Sequence, residues 1–522
     1  MRTLRRAALR AATLGALVVA APRPLAAQAS TYQLLQAFSD VLNQIRVNYA
    51  DSVTAQHLVR GAIEGMLASL DPHSYFLEHE QSARLGAWHG GKLGWTGIYV
   101  EDEEGAVTVL GVAAGSPAER AHVSTGDRIV AINDTSTAGL RSQAVQSRLI
   151  GDVGSKVRLR IERGPRLQPD TASVTVKNAD IKEVSVSRVR TLADGIAYVR
   201  LAEFNARAGD ELRDAIDRAA RGPQPRRIIL DLRGNPGGLV SAAADVLSLF
   251  LRDGQVGFRQ KGRVQDANDT FTVRHDGRFS RDRLVLLIDE HTASASEIVA
   301  ASLQDHDRAL LLGRRSFGKA LVLMPFYVQP AGDEVWLTIA RVITPSGRVI
   351  QRRYEGLTTE QYETLAGQGG AAADTAATYH TDAGRLVRGG GGIAPDSVLP
   401  SPAALPVWFL AASDSNLDDA VSDSVAATLA ADARTREAWI ADPSRWAASL
   451  LPPLLARAQK RFDLVPRLDS AQGARIARIL AARVAEVRWG SDAEQELLVR
   501  SDAWIAAAVT ALERPQGETG GR

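Results

Sequence analysis

Apolar residues recur at three- and four-residue steps from about residue 31 to 85. The run YQLLQAFSDVLNQIRVNYADSVTAQHLVRGAIEGMLASLDPHSYFL predicts helices, the second ending at Asp71-Pro72. A residue before proline is pushed out of the helical region. From 86 to about 178 the pattern changes to short Val- and Ile-rich runs punctuated by glycine, which predict strands. Within them SPAERA reads as a short helix with Ser116 as N-cap and Pro117 in its first turn. STGDRIVAIN reads as a turn into a strand, SQAVQSRLIG as a second helix and KVRLRIER as a closing strand. From 181 to about 400 strands and helices alternate, as in GIAYVRLAEF, ARAGDELRDAIDRAAR, RRIILDLRGNPGG and RLVLLIDEHTASASEIVAASLQ. That alternation predicts α/β layers. Residues 367–392 are rich in Gly and Ala and predict a mobile loop or linker. Beyond 401 the chain is rich in Ala, Leu and Arg, predicts helices and carries no chemical motif. The expected architecture is multidomain α/β: an N-terminal helical segment (30–85), a small β-barrel domain (86–180), an α/β core (181–400) and a helical C-terminal extension (401–522).

Composition narrows the function. A net charge of +2 with scattered arginines argues against a nucleic-acid binder, which needs a concentrated basic face. There is no cysteine, so disulfides, Cys-ligated metals and thiol nucleophiles are excluded. The 9 histidines show no paired ligand spacing, so no metal is expected. The first residues have a basic start, an apolar run from Ala11 to Ala21 and then Ala27-Gln28-Ala29. This is the layout of a secretory signal cleaved after Ala29, residues 1–29. The apolar run is short for a membrane span. Export to a bacterial periplasm is expected, with membrane association if the segment is retained.

Three segments carry candidate chemistry. Ser294-Ala295-Ser296-Glu297 fits the capping-box formula at the start of an amphipathic helix. A serine there can simply cap the helix. The same position suits a nucleophile, because free N–H groups and the positive dipole end stabilise an oxyanion. Lys319 stands in an apolar run, SFGKALVLMPF. Such a lysine can snorkel from a strand edge. Buried, its amine loses charge and can act as a general base in place of histidine. In IILDLRGNPGG an apolar strand meets a glycine turn. The turn can be structural, or Gly237 or Gly238 can offer an oxyanion N–H, with Ala295 offering the second.

The order of elements from 86 to 180, and above all GSPAERAHVSTGDRIVAIND at 115–134, resembles a PDZ domain. Taken together, DPHSYFL (71–77), DLRGNPGG (231–238), TASASEI (292–298), FGKALV (317–322), TPSGRVIQ (344–351) and GIAPD (392–396) resemble the carboxyl-terminal processing, or tail-specific, proteases. The resemblance implies an exported serine endopeptidase with Ser294 as nucleophile and Lys319, 25 residues later, as base. Ser296 is the alternative nucleophile. It implies no cofactor and no metal. Its partners would be polypeptides with accessible C-termini, with an adaptor or self-association through the C-terminal helices, and no nucleic acid. A PDZ domain adds a chain end to a sheet edge and holds its carboxylate with backbone N–H groups. Leu93, Gly94, Trp95, Thr96, Gly97 and Ile98 resemble that loop and strand, with Trp95 and Ile98 as candidates for the pocket of the last side chain and Ile98 equally open as a core residue. The sequence departs from the family at Leu323, where a glutamine that orients the lysine is usual. If the run is a strand, Lys319, Leu321 and Leu323 share a face. Leucine desolvates an amine but cannot orient it. The alternative function is therefore a catalytically impaired relative acting as a PDZ-based C-terminus-binding protein or scaffold. Asp289 and His291 also replace the usual Asn and Gly, and His291 invites a Ser-His reading.

Overall fold

The computed structural model describes residues 30–514 apart from 90–91, 104–105, 114, 125, 164–169, 182–183, 222–224, 330–331, 356, 358–376 and 464. The expected signal segment, and 367–376 of the expected linker, lie outside the described residues. The chain forms two compact units, 1–65 and 66–522.

In the first unit, α1 (Thr31–Asn48) begins at a capping box. Ser30 Oγ accepts from Gln33 N (3.3 Å) and Gln33 Oε1 accepts from Ser30 N (2.8 Å). No residue of α1 is buried. The next helix, α2 (Ala55–Ala68), runs into the second unit and ends just ahead of Asp71-Pro72, as the sequence predicts.

The helical expectation fails at the next step. Tyr75–Leu77 is a strand, β1, followed by α3 (His79–His89). A distant partner strand supplies the pairing that decides this, which no local period can show.

The small domain follows, with β2 (Gly94–Trp95), β3 (Ile98–Glu103), β4 (Ala106–Val112), α4 (Pro117–Arg120), β5 (Arg128–Ile132), β6 (Thr135–Ser136), α5 (Ser142–Arg148), β7 (Ile150–Gly151), β8 (Lys156–Arg163) and β9 (Asp170–Lys177). Its sheet has the order β3-β4-β5-β8-β9, so β3 is an edge strand. Ser116 Oγ caps α4 by accepting from Glu119 N (3.1 Å). Alternate residues of β8 and β9 are buried, which seals one face of the sheet.

The core contains β10 (Val186–Thr191), β11 (Ala197–Leu201), α6 (Ala208–Ala219), β12 (Arg227–Asp231), α7 (Val240–Phe250), β13 (Val256–Gly262), β14 (Asp269–Thr272), β15 (Arg283–Ile288), α8 (Ala295–Asp305), β16 (Leu310–Gly313), β17 (Leu321–Val328), β18 (Asp333–Ile343), β19 (Thr378–His380), β20 (Leu386–Arg388) and β21 (Ser397–Val398). The central sheet has the order β10-β11-β12-β15-β16-β21, parallel except at β10. A second, antiparallel sheet has the order β1-β18-β13-β14, with β17 also on β18. β19 and β20 pair as a hairpin, so the described end of the expected linker is ordered structure.

Seven helices close the described chain: α9 (Val407–Asp414), α10 (Leu417–Thr428), α11 (Ala433–Ala441), α12 (Pro443–Phe462), α13 (Ser470–Trp489), α14 (Ser491–Arg500) and α15 (Ala503–Glu513). They are an integral layer. Val199, Leu230 and Leu286 pack toward α6, α7 and α8, whereas Tyr198, Ile229, Val285 and Leu287 pack toward Trp504, Ile505 and Leu512 of α15. The two-residue period of the strands thus needs helices on both faces, and the C-terminal extension supplies the second. Each such apolar side chain contributes about 1.5–3 kcal/mol when fully buried. At its other end the extension enters the small domain. Val407 and Leu410 of α9 join that domain's core, and Asp414 Oδ1 accepts from Thr175 N (2.7 Å).

Candidate active site

Two loops at the carboxyl ends of adjacent parallel strands form the site. After β12 the chain runs Leu232 to Gly238, and after β15 it runs Asp289 to Ser294. They are cross-linked by side chains. Asp289 Oδ1 accepts from Gly234 N (2.9 Å), Thr292 Oγ1 donates to Leu232 O (3.0 Å) and Ala293 N donates to Asn235 O (3.0 Å). Asn235, fully buried, donates to Leu201 O (2.8 Å) and accepts from Gly237 N (2.9 Å). Behind the first loop, Arg233 bridges Asp231 (2.6 Å) and Asp502 at the start of α15 (3.1 Å). Arg233 heads the charges that hold the buried Asp231 carboxyl low, at about 2.

Ser294 occupies the N-cap of α8 with φ 56° and ψ −117°. A non-glycine residue there stores strain on the order of 1–3 kcal/mol. Glu297, one turn on and fully buried, holds it in place. One carboxylate oxygen accepts from Ser294 N (3.0 Å) and from Lys319 N (2.8 Å). The other accepts from Gly318 N (2.7 Å) and Ser316 Oγ (2.5 Å). One side chain therefore fixes the backbones of both predicted catalytic residues. Burial pushes the Glu297 carboxyl up to about 7, against the pull of these four donors.

Lys319 lies just ahead of β17 rather than within it. Burial pushes its amine down from the ordinary value, while Glu101, Glu297 and Asp71 pull the other way. Among the described residues its amine has no hydrogen-bond partner, and none joins it to Ser294. Leu321 is buried and Leu323 half-buried, but Lys319 precedes the strand and the pairing slips between Val322 and Leu323, so the shared strand face expected of Lys319, Leu321 and Leu323 does not form. His73 stands in the same neighbourhood. Burial, then Lys319, Arg141 and Arg352, push its imidazole well below the ordinary value, so it is neutral.

The oxyanion candidates divide. Gly237 N is occupied by Asn235, whereas Gly238 N and Ala295 N have no acceptor among the described residues. Gly237 serves in another way. At φ 101° an added Cβ would sit 2.8 Å from Ser294 Cβ and 2.7 Å from Ala293 O. Ser296 is fully buried and its hydroxyl donates to Asn235 O (3.1 Å), so it is not presented to a substrate. The ring of His291 has no hydrogen bond among the described residues.

Comparison with known proteins fits this geometry. The family model for peptidase family S41 matches residues 195–362, that for a PDZ domain matches 108–163, and that for the activating protease CtpB N-terminal domain matches 20–81. A carboxy-terminal-processing protease of Bartonella bacilliformis is 33% identical over 327 residues, covering 62% of this chain and 74% of the relative. This chain belongs to the carboxy-terminal-processing protease family. A carboxyl-terminal-processing protease of Synechocystis is also 33% identical, over 56% of this chain and 68% of its own length. The solved photosystem II D1 C-terminal processing protease matches 73% of this chain and 95% of its own, with a TM-score of 0.51 and 24% identity, which shows a shared fold.

In this family member the PDZ loop differs from the sequence expectation. Trp95 and Ile98 are buried in the domain core, and Trp95 packs its ring against Trp88 and Tyr99 (4.8 and 4.7 Å). Three clustered aromatic rings bury more surface than a tryptophan left at a pocket mouth. Trp95 N and Thr96 N donate to Ala179 O and Leu149 O, which leaves Gly97 N as the amide of Trp95–Gly97 without a partner among the described residues. Leu93 is half-buried against the same core, and Gly94 lies in β2. The free edge of β3 is closed by α5. Gln146 Oε1 accepts from Val100 N (3.3 Å) and its Nε2 donates to Ile98 O (3.1 Å). One amide side chain thus imitates a paired strand. Asp102 on β3 completes the closure by accepting from Ser142 N (2.8 Å) and Ser142 Oγ (2.9 Å).

Proposed function

We propose that this chain is an exported Ser-Lys endopeptidase that captures protein C-terminal tails on its PDZ domain and cuts peptide bonds at Ser294. The observation that carries the reading is the Glu297 carboxylate, which ties Ser294 and Lys319 to one point beside two unpaired amides. Neutral Lys319 takes the Ser294 proton as Oγ attacks the peptide carbonyl. Gly238 N and Ala295 N hold the oxyanion, and the proton passes to the leaving amine. Water then resolves the acyl-enzyme with Lys319 again as base. Export is supported by the basic, then apolar N-terminus.

The test is to incubate the signal-free chain with an unstructured polypeptide carrying either a free or an amidated C-terminus, and to follow fragments by mass spectrometry. Cleavage is expected, about tenfold slower for the amidated tail because the terminal carboxylate is lost. No fragments from either polypeptide would overturn the peptidase reading. Equal rates would overturn tail capture.

Gln146 gives a further prediction. A tail that adds to β3 must displace it from Ile98 and Val100. Gln146→Ala is expected to tighten tail binding about fivefold, the scale of one net hydrogen bond. Weaker binding, measured by fluorescence anisotropy, would show that Gln146 contacts the tail instead.

The reading as an impaired relative is favoured by one observation, the Lys319 amine without a hydrogen-bond partner among the described residues, in a chain with Leu323 where a glutamine is usual. Leu323→Gln is expected to change cleavage by less than about tenfold, because burial rather than an amide partner lowers the amine. Activity that appears only in Leu323→Gln would favour the binding-protein reading.

A further inference from the structure

Beside the closed β3 edge lies a cavity of about 420 Å³. Its PDZ wall is Val100 of β3 with Ser142 and Gln146 of α5. The opposite wall comes from outside that domain, from β1, α3 and β18. Tyr75 and Trp336 are partners across the β1–β18 pair, and their rings stack at 5.7 Å. Between the walls stands Glu334, which accepts from Ser82 Oγ (2.5 Å) and Trp336 Nε1 (2.9 Å). Both donors are neutral, so neither offsets a negative charge on the carboxylate. Among the described residues it has no ion-pair partner, and no basic side chain lines the cavity. Its charge and burial push the Tyr75 phenol up, so that group stays protonated.

A carboxylate with no ion-pair partner, set among aromatic and apolar side chains, is a site for a cation, since a charge pair gains strength where water is partly excluded. The remaining lining at Leu77, Leu85 and Val100 is apolar. That combination suits a long side chain with an apolar stem and a charged head. We propose that this cavity receives a lysine or arginine side chain from the substrate's C-terminal tail, with Glu334 as the specificity-determining residue. The proposal rests on tail capture at β3. A tail lying antiparallel to β3 with its end near Ile98 places a residue close to two before the end beside Val100.

The test uses the full signal-free chain carrying Ser294→Ala, so that binding is read without cleavage. Fluorescent ten-residue peptides with free C-termini carry Lys, Arg, norleucine or Glu at each of the last four positions in turn. At one position Lys and Arg are expected to bind roughly tenfold tighter than norleucine, and Glu weaker, the scale of one partly desolvated charge pair. Adding Glu334→Gln should bring Lys and norleucine within about twofold while norleucine binding stays unchanged, which also shows that the fold is intact. Lys and norleucine binding equally at all four positions would overturn the proposal, as would a lysine preference that survives Glu334→Gln. If no peptide binds at all, tail capture itself fails. If the chain with Ser294 restored binds with the lysine preference but does not cut, only the peptidase reading is lost.

Discussion

Ser294→Ala and Lys319→Ala are each expected to lower cleavage of an unstructured polypeptide by on the order of 10⁴- to 10⁶-fold, and the double variant to be no worse than either. As a proposed dyad, the two side chains would act as one unit. Without the hydroxyl there is nothing to attack the carbonyl, and without the amine the hydroxyl keeps its proton. Removing the second partner therefore takes away nothing further. The residual rate comes from Gly238 N and Ala295 N, which neither substitution touches. Lys319→Arg is expected to fail as completely, because a guanidinium does not release its proton. The measurement is kcat/KM by mass spectrometry across the four variants and the unmutated chain. A Lys319→Ala protein within tenfold of the unmutated chain would sink the dyad and turn attention to His73, held neutral in the same neighbourhood.

Much of this was legible where chemistry is local. The Ser116-Pro117 start of α4, the end of α2 near Asp71-Pro72 and the alternation in β8 all follow from caps, proline and period. The helix start at Ser294 was legible too, since a capping box marks it whatever else the serine does. The role of Glu297 was half legible. Its bond to Ser294 N is the capping box, but its bonds to Gly318 and Lys319, more than 20 residues on, depend on how the loops fold back. Gln146 carried no signal at all, because a glutamine on a short helix closes a strand edge only once helix and strand are placed side by side.

The C-terminal extension shows the same limit. AWIAAAVTALE of α15 has no motif, and an all-round apolar helix announces burial without naming what it covers. It covers the second face of the central sheet, and Asp502 at its start reaches Arg233 in the loop after β12. The near-continuous apolar runs of β12 and β15 suit strands buried on both faces, and the alternation of strands and helices pointed only to α/β layers. The missing step was that the second layer comes from the far end of the chain.

Glu297→Gln is expected to lower kcat/KM by about 10²- to 10³-fold and to remove one ionisation from the pH profile. The ionised carboxylate accepts four hydrogen bonds, three of them from backbone N–H groups that cannot reverse. An amide keeps one accepting oxygen and turns an NH₂ toward donors. Either Ser294 and Lys319 or Gly318 then loses its partner, and the Ser294–Lys319 spacing shifts. Protonation does similar damage without mutation, since the acid form has one acceptor fewer. The carboxyl titrates at about 7, so activity of the unmutated chain is expected to rise as pH increases through that value. Loss of the Lys319 proton adds a second rise, which the Glu297→Gln variant should retain. Stability should move the opposite way. A carboxyl whose folded value lies above its unfolded value of 4.5 contributes stability that is fully present below 4.5 and lost as pH rises through about 7, a cost on the order of 3 kcal/mol. The unmutated chain is therefore expected to gain activity and lose thermal stability between pH 5 and 8, with the stability loss and the Glu297 step of the activity rise absent in Glu297→Gln, which keeps only the Lys319 step. A rate profile that is flat across about pH 7, or a stability slope that persists in the variant, would show that the carboxyl titrates elsewhere and that the clasp is not what couples Ser294 to Lys319.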